Sequence, residues 1–245
     1  MMPLPPIPIT INGRPNGCVD GWNEAGNPLF IPVEESGEPL VSIRDSVPEI
    51  ISRPVYQESQ GEDQFVRHSV ADMLAKAQLL LPCGLRLVLF DGWRSIELQR
   101  QLYEQEYTAQ ASRLHGRDPA SIATETQRYV SAPSSSGEVP SPHNTGGAVD
   151  VAIMKDDELL DFGTQHDDMS ERSALVYGEI DVALGVAARD NRRMLYYAMT
   201  KAGFEPYVDE WWHYNYGNQM AQLTRYYRTG ERLPAIYGPR ENVIQ

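Results

Sequence analysis

Two short stretches place histidine and carboxylate side chains at spacings that could bind a metal. "SPHNTGGAVD" puts His143 seven positions before Asp150, and "DEWWHY" puts Glu210 three positions before His213. A catalytic zinc takes three protein ligands from such side chains and keeps a fourth position for water. His143, Asp150 and His213 would complete that set, and Glu210 would remain as a general base for the water. The stretches therefore predict one zinc ion per chain.

The surroundings of Asp150 favour this interpretation. Asp150 lies inside the apolar run "AVDVAIM", and an ionised carboxylate in a buried strand is costly unless a positive group meets it. A zinc ion would be that group. Two simpler alternatives remain open from spacing alone. His143 and Asp150 could be a surface histidine and a turn aspartate, and Glu210 and His213 could be an exposed ion pair at a strand edge.

The elements that would position these residues follow from hydrophobic periodicity. Apolar residues recur every three or four positions over 63–81, which predicts an amphipathic helix ending at Pro82. A buried strand is predicted within 84–93, and Ser95 then caps a second helix. Residues 131–147 are rich in turn formers and predict a long loop that delivers His143 to the strand of Asp150.

The later part of the chain predicts one more helix and an aromatic strand. "DNRRMLYYAMTKAGF" has Asp190 or Asn191 as its cap and Gly203 as its end. The segment 205–217 is predicted to be extended. Because residues three apart point to opposite sides of a regular strand, a turn or bulge is expected at Trp211 and Trp212. The unequal alternation of helices and strands predicts an α+β fold, with a small, mainly antiparallel sheet flanked by helices.

Length and charge set the broad class. The 245 residues suit a single domain, 1–245, with an irregular N-terminal wrap over 1–60 and a helical or loop insert at 108–135. A net charge of -13 argues against nucleic acid or an anionic membrane as partner and favours a small molecule or peptide. No secretion signal or membrane-length apolar run is present, which predicts a cytoplasmic location. The sequence does not determine the oligomeric state.

The two stretches also resemble a known family. "SPHNTGGAVDV" and "DEWWHY" are similar to the signatures S-x-H-x-x-G-x-A-x-D and E-x-W-H of the VanX-type D-alanyl-D-alanine dipeptidases, and meet every defined position. The wider fold group of that zinc metallopeptidase family includes zinc D-Ala-D-Ala carboxypeptidases and the hedgehog domain. The resemblance implies this fold. It also implies His143, Asp150 and His213 as zinc ligands and Glu210 as the base.

The resemblance implies further roles. "FDGWRS" is similar to the family segment whose arginine stabilises the tetrahedral intermediate, which points to Arg94. "FGTQHDDMSERS" is similar to the stretch whose aspartate receives the substrate amine, which points to Asp167, with Asp168 one position away as the alternative. Ser141 matches a serine that helps to bind that amine. His166 departs from the family, where an apolar aromatic residue is expected.

These expectations lead to a zinc dipeptidase that hydrolyses free D-alanyl-D-alanine or a related dipeptide with a zinc-activated water. The first alternative is a peptidoglycan D,D- or L,D-carboxypeptidase. The second is a non-catalytic zinc-binding module, against which the presence of both Glu210 and Arg94 argues. The sequence decides neither the physiological dipeptide nor whether the role is antibiotic resistance or nutrient recycling.

Overall fold

The computed structural model describes residues 3–19, 31–56, 61–133 and 139–241. The strands in these ranges are β1 (Thr10–Ile11), β2 (Arg14–Pro15), β3 (Leu40–Ser42), β4 (Ile51–Ser52), β5 (Phe65–Arg67), β6 (Leu85–Asp91), β7 (Ala148–Lys155), β8 (Glu158–Leu159), β9 (Glu205–Pro206) and β10 (His213–Asn215). The α-helices are α1 (Ile43–Ser46), α2 (His68–Leu80), α3 (Ile96–Arg113), α4 (Pro119–Gln127), α5 (Tyr177–Ile180), α6 (Val186–Ala202) and α7 (Gln219–Thr229).

The main sheet has the strand order β4-β6-β7-β10-β9, and β8 pairs with the far end of β7. β4 runs parallel to β6, whereas the other pairs in this sheet are antiparallel. Two small ribbons, β1 with β2 and β3 with β5, lie outside it. The predicted α+β class with a small, mainly antiparallel sheet is confirmed.

The register of the sheet aligns polar residues from three strands. Asp150 on β7 lies opposite His213 on β10. On its other side Asp150 pairs with Asp91 at the end of β6, where the register shifts after Leu89. These side chains therefore form a row across the sheet, although they are distant in sequence.

The hydrophobic core lies between the sheet and the long helices. α2 and α6 pack against each other, and they contact β6 and β7 respectively. The most buried core side chains include Val70, Leu74, Leu87, Val149, Val151, Ile153, Leu195 and Met199. Because burial of one such side chain is worth about 1.5 to 3 kcal/mol, this core gives the strand of Asp150 a rigid support.

Two predicted helix starts are wrong, and tertiary pairing explains the first. The helix predicted from residue 63 begins at His68, because Phe65–Arg67 form a strand that pairs with β3. The later helix begins at Val186 after Gly185, so the predicted caps Asp190 and Asn191 lie inside it.

Other predicted boundaries are confirmed. The Ser95 side chain accepts a hydrogen bond from the Leu98 amide at 3.2 Å and caps α3. Gly203 ends α6 with a positive φ of 121°. The strand predicted within 84–93 is β6, and residues 211 and 212 form the expected turn before β10.

The predicted N-terminal wrap and the predicted insert contain short elements. The described parts of 1–60 contain β1 to β4 and α1, whereas residues 1–2, 20–30 and 57–60 lie outside the described residues. The segment 108–135 contains the end of α3 and all of α4, and residues 134–138 of the predicted loop also lie outside. Within the described ranges, none of the helices has the length and apolar character needed to cross a membrane.

Candidate metal centre

A tight turn brings His143 to the start of β7. Residues Pro142–Thr145 form one turn of 3-10 helix, which Gly146 ends with a φ of 71°. Gly147 follows, and a Cβ on it would lie 2.4 Å from the carbonyl oxygen of Tyr216. The turn therefore needs glycine at Gly146 for its backbone conformation and at Gly147 for the close approach of β10.

His143, Asp150 and His213 converge on one point. His213 Nδ1 lies 3.0 Å from Asp150 Oδ1 and 3.2 Å from His143 Nε2, and His143 Nε2 lies 3.5 Å from Asp150 Oδ1. A tetrahedral zinc with ligands at about 2.0 to 2.1 Å would place them about 3.3 to 3.4 Å apart. The three side chains are buried. Both the donor set and its spacing fit zinc.

In each of the two histidines, the outer ring nitrogen, which points away from the cluster, already has a hydrogen-bond partner. His143 Nδ1 lies 2.8 Å from the Gly92 carbonyl oxygen, and His213 Nε2 lies 3.1 Å from Asn215 Oδ1. Asn218 donates to the same Asn215 oxygen at 2.8 Å. Because each outer nitrogen faces only an oxygen acceptor, it bears the proton in the neutral imidazole. The inner nitrogens, Nε2 of His143 and Nδ1 of His213, are then free to bind a metal.

Electrostatics favour metal-binding forms of Asp150 and His213. Burial alone would raise the pKa of Asp150, but the charge that His143 carries without a metal, together with hydrogen bonds from the surrounding histidines, holds it well below its usual value. Burial lowers the pKa of His143, but Asp150 and Asp91 outweigh burial and raise it, so a bound metal would displace the second proton of this imidazole. For His213, burial outweighs the attraction of Asp150 and lowers the pKa of the imidazole. An ionised carboxylate and a neutral imidazole are the forms that a metal requires.

Glu210 lies beside this cluster without completing it. Its Oε2 is 3.8 Å from His213 Nδ1, and the turn at 211–212 brings both side chains to the same side. Burial raises the pKa of Glu210 well above its usual value, and the charges of Asp150 and Asp167 add to the effect. A bound dication would offset part of this rise, because it favours the ionised carboxylate that can accept a proton.

Arg94 is held in place by two neighbours. Its Nε and Nη2 donate to one oxygen of Asp91 at 3.0 and 2.5 Å, and its Nη1 donates to Gln99 Oε1 at 2.9 Å. Asp91 Oδ2 also lies 3.4 Å from His143 Nδ1. Burial opposes the charge of Arg94, but Asp91 outweighs it and raises the pKa of the guanidinium. Asp91 therefore links the arginine to the metal cluster.

Asp167 lies next to His166 and Tyr56. Its backbone adopts a φ of 61°, a region that few residues other than glycine occupy. Its Oδ2 accepts a hydrogen bond from the Tyr56 hydroxyl at 3.2 Å and lies 3.3 Å from His166 Nδ1. Burial opposes the charge of His166, but contacts with Asp150 and Asp167 outweigh it and raise its pKa to about 10.

One cavity of about 440 Å³ brings the predicted site residues together. It is lined by all seven of them: Arg94, Ser141, His143, Asp150, Asp167, Glu210 and His213. Asp168 is not among the described residues that line the cavity. Ala109 of α3 and Gln127 of α4 also line it, so the segment 108–135 helps to shape this cavity.

Sequence reasoning missed several residues of the site. Asp91 and Gln99 hold Arg94, Asn215 orients His213, and Tyr56 contacts Asp167. An acidic residue at the end of a buried strand was a usable signal for Asp91. Tyr56 gave no signal, because it lies in a segment without periodicity and meets Asp167 only in the tertiary structure.

Two histidines and a carboxylate spaced for zinc, next to a buried glutamate, define a zinc metallopeptidase site. Comparison with known families agrees with this class. The family model Peptidase_M15, described as D-ala-D-ala dipeptidase, matches residues 51–230. The chain belongs to this family, and zinc is its metal cofactor.

Individual relatives include three bacterial proteins named D-alanyl-D-alanine dipeptidase. The Synechocystis protein is 27% identical over 215 residues, covering 78% of this chain and 87% of the relative. The Escherichia coli protein is 29% identical over 172 residues, covering 70% and 72%. The Enterococcus faecium protein is 30% identical over 165 residues, covering 60% and 70%.

A solved structure with some likeness is a mutant of the vancomycin resistance D,D-pentapeptidase VanY, from a VanB-type resistance cassette, in complex with Zn(II). It is 18% identical, and the alignment covers 72% of this chain and 84% of that chain with a TM-score of 0.39.

Proposed function

We propose that the protein hydrolyses free D-alanyl-D-alanine or a closely related dipeptide, with His143, Asp150 and His213 as the zinc ligands. The observation that supports this most directly is the set of three ligand atoms 3.0 to 3.5 Å apart, with Glu210 Oε2 3.8 Å from one of them. When bound, zinc would lower the pKa of a water ligand toward about 7 and polarise the scissile carbonyl.

Glu210 and Arg94 would perform the two protein-based steps. Glu210 accepts the proton that the attacking water loses, and then donates it to the nitrogen of the leaving amino acid. Its raised pKa suits both halves of that transfer. Arg94, fixed by Asp91 and Gln99, donates to the oxygen on which negative charge develops.

Asp167 would select substrates with a free amine. It lies at the rim of the cavity with 38% of its side chain exposed, where an incoming ammonium group can reach it. A charge-assisted hydrogen bond to this carboxylate would fix the distance from the N-terminus to the metal, and Ser141 would assist from the adjoining wall. A dipeptide then places its single peptide bond at the zinc. A chain that is acylated or extended at its N-terminus could not make this charge-assisted hydrogen bond.

Zinc content tests the ligand assignment. We expect His143→Ala and His213→Ala to lose most of the one zinc ion that the unmodified protein binds, as measured by elemental analysis after gel filtration. Glu210→Gln should retain zinc and lose most of its turnover, because the amide cannot accept the proton. Full zinc occupancy in both alanine variants would contradict the assignment. Near-normal kcat in Glu210→Gln would contradict the base.

Substrate comparison tests the choice of dipeptides. The zinc-loaded protein is assayed with D-Ala-D-Ala and with N-acetyl-D-Ala-D-Ala. A hydrogen bond to a charged group is worth about 1.5 to 3 kcal/mol, so the free dipeptide should be preferred roughly 10- to 150-fold in kcat/KM. Asp167→Asn should remove most of that preference, whereas the matched control Asp168→Asn should retain it. Equal rates with both substrates in the unmodified protein would favour a carboxypeptidase.

A further inference from the structure

His166 lies between the metal cluster and the proposed amine site. Its Nε2 is 3.2 Å from Asp150 Oδ2, and its Nδ1 is 3.3 Å from Asp167 Oδ2. The other oxygen of Asp150, Oδ1, faces His143 and His213. The two oxygens of Asp150 therefore have different partners, one in the metal cluster and one on His166.

Packing restricts the orientation of the His166 ring. The ring centroid lies 4.9 Å from that of Phe90 and 5.1 Å from that of Trp212, and 9% of the side chain is exposed. Rotation of the imidazole would break both carboxylate contacts. The ring therefore sets the separation between Asp150 and Asp167.

We propose that His166 is a positioning residue that links Asp150 to Asp167, so that zinc affinity and recognition of the substrate amine depend on one imidazole. The role given to Asp167 rests on the proposed function. The contact between His166 and Asp150 requires only that the cluster binds zinc. A side chain that contacts a metal-ligating carboxylate fixes the direction of its ligand oxygen, and loss of such a contact typically weakens metal binding 10- to 100-fold.

The same imidazole contacts Asp167, whose backbone lies in the left-handed region. Asp167 has a φ of 61°, so contacts to its side chain must help to hold it there. Its Oδ2 contacts Tyr56 and His166. Without His166, the hydrogen bond from Tyr56 would be the one contact given for this carboxylate among the described residues, and its position relative to a bound zinc would be less defined.

His166→Phe separates the contacts from the packing. Phenylalanine retains a ring against Phe90 and Trp212 but has no ring nitrogen for either carboxylate. We expect zinc affinity, measured by competition with a chromophoric chelator, to fall 10- to 100-fold. This measurement needs no substrate and stays informative even if the protein does not hydrolyse dipeptides. His115→Phe, at an exposed histidine after α3, is the matched control and should leave zinc affinity unchanged.

Steady-state kinetics at saturating zinc test the contact between His166 and Asp167. His166→Phe should raise KM for D-Ala-D-Ala about tenfold with a smaller change in kcat, and should narrow the preference over N-acetyl-D-Ala-D-Ala. In an Asp167→Asn background the same substitution should add little to KM, because the group through which His166 acts is already changed. A general loss of structure would add to KM in both backgrounds.

Several results would overturn the proposal. Unchanged zinc affinity in His166→Phe would reject the link to Asp150, and a KM effect that adds fully to that of Asp167→Asn would reject the link to Asp167. If His166→Phe does not fold, His166→Gln is used, whose single amide nitrogen stands in for one of the two ring nitrogens. We expect it to retain one of the two contacts and to lose either zinc affinity or amine preference. The inference is refuted if a folded His166→Gln keeps both its zinc affinity and its preference for the free amine. It is also refuted if His166→Phe keeps both.

Discussion

Asp91→Asn perturbs a buried ion pair that links Arg94 to the metal cluster. In the native structure Arg94 donates to Asp91 Oδ2 through Nε and Nη2, and the two side chains are 8% and 4% exposed. Asparagine has nearly the same shape but no charge. The variant therefore leaves the guanidinium of Arg94 buried beside a neutral amide.

The size of the effect follows from this burial. Removal of one partner from a buried pair costs about 3 to 5 kcal/mol, and the remaining amide oxygen favours the lower end. For a chain of this size, about 3 kcal/mol corresponds to a decrease in Tm of roughly 6 to 12 °C. Loss of the fixed Arg94 geometry should also reduce kcat roughly 100-fold, the scale observed when one donor to a developing oxyanion is removed.

Thermal unfolding of zinc-loaded Asp91→Asn and steady-state hydrolysis of D-Ala-D-Ala measure the two effects. Glu97→Gln is the control, because it removes an ion pair with Arg100 in which both side chains are largely exposed, and its Tm should stay within about 2 °C of the unmodified protein. A similarly small change in Asp91→Asn would refute the energetic reasoning. A normal kcat in a destabilised Asp91→Asn would refute the role of Asp91 in positioning Arg94.

Two further substitutions test the support of the site. Gly147→Ala should destabilise the fold strongly, because its Cβ would lie 2.4 Å from the Tyr216 carbonyl oxygen; circular dichroism melts measure this, and an unchanged Tm would contradict the close approach. Glu179→Gln should lower the free energy of unfolding by about 2 kcal/mol at pH 7. Burial opposes the charge of Glu179, but hydrogen bonds from the Arg193 side chain and the Ile7 amide outweigh burial and lower its pKa. That contribution exists above the ordinary pKa and is lost as the pH falls through the lower folded value. The Tm difference between Glu179→Gln and the unmodified protein should therefore shrink as the pH is lowered below the ordinary pKa, and a constant difference would contradict it.

Local sequence determined the elements that border the site. Ser95 caps α3 and Gly203 ends α6 because caps depend on a few neighbouring residues. The apolar run around Asp150 forms the buried strand β7. The grouping of His143, Asp150 and His213 was also predictable, since their residue types and their two motifs match a known signature.

The start of α2 depended on a partner that is distant in sequence. Residues 65–67 fit the helical period, yet they form β5, because backbone pairing with β3 stabilises the extended form. Periodicity within the segment contains no information about that partner. The start of α6 at Val186, before the expected caps, has no such pairing to explain it.

The contacts that hold the predicted site residues in place were decided only by the tertiary structure. Asp91 reaches Asp150 because β6 and β7 pair in a particular register with an irregularity after Leu89. Tyr56 reaches Asp167 across 111 positions of sequence. His166 contacts both Asp150 and Asp167 only because the loop that follows β8 brings it next to the strand of Asp150. Such contacts depend on how elements pack, and the chemical type of a single residue cannot specify that packing.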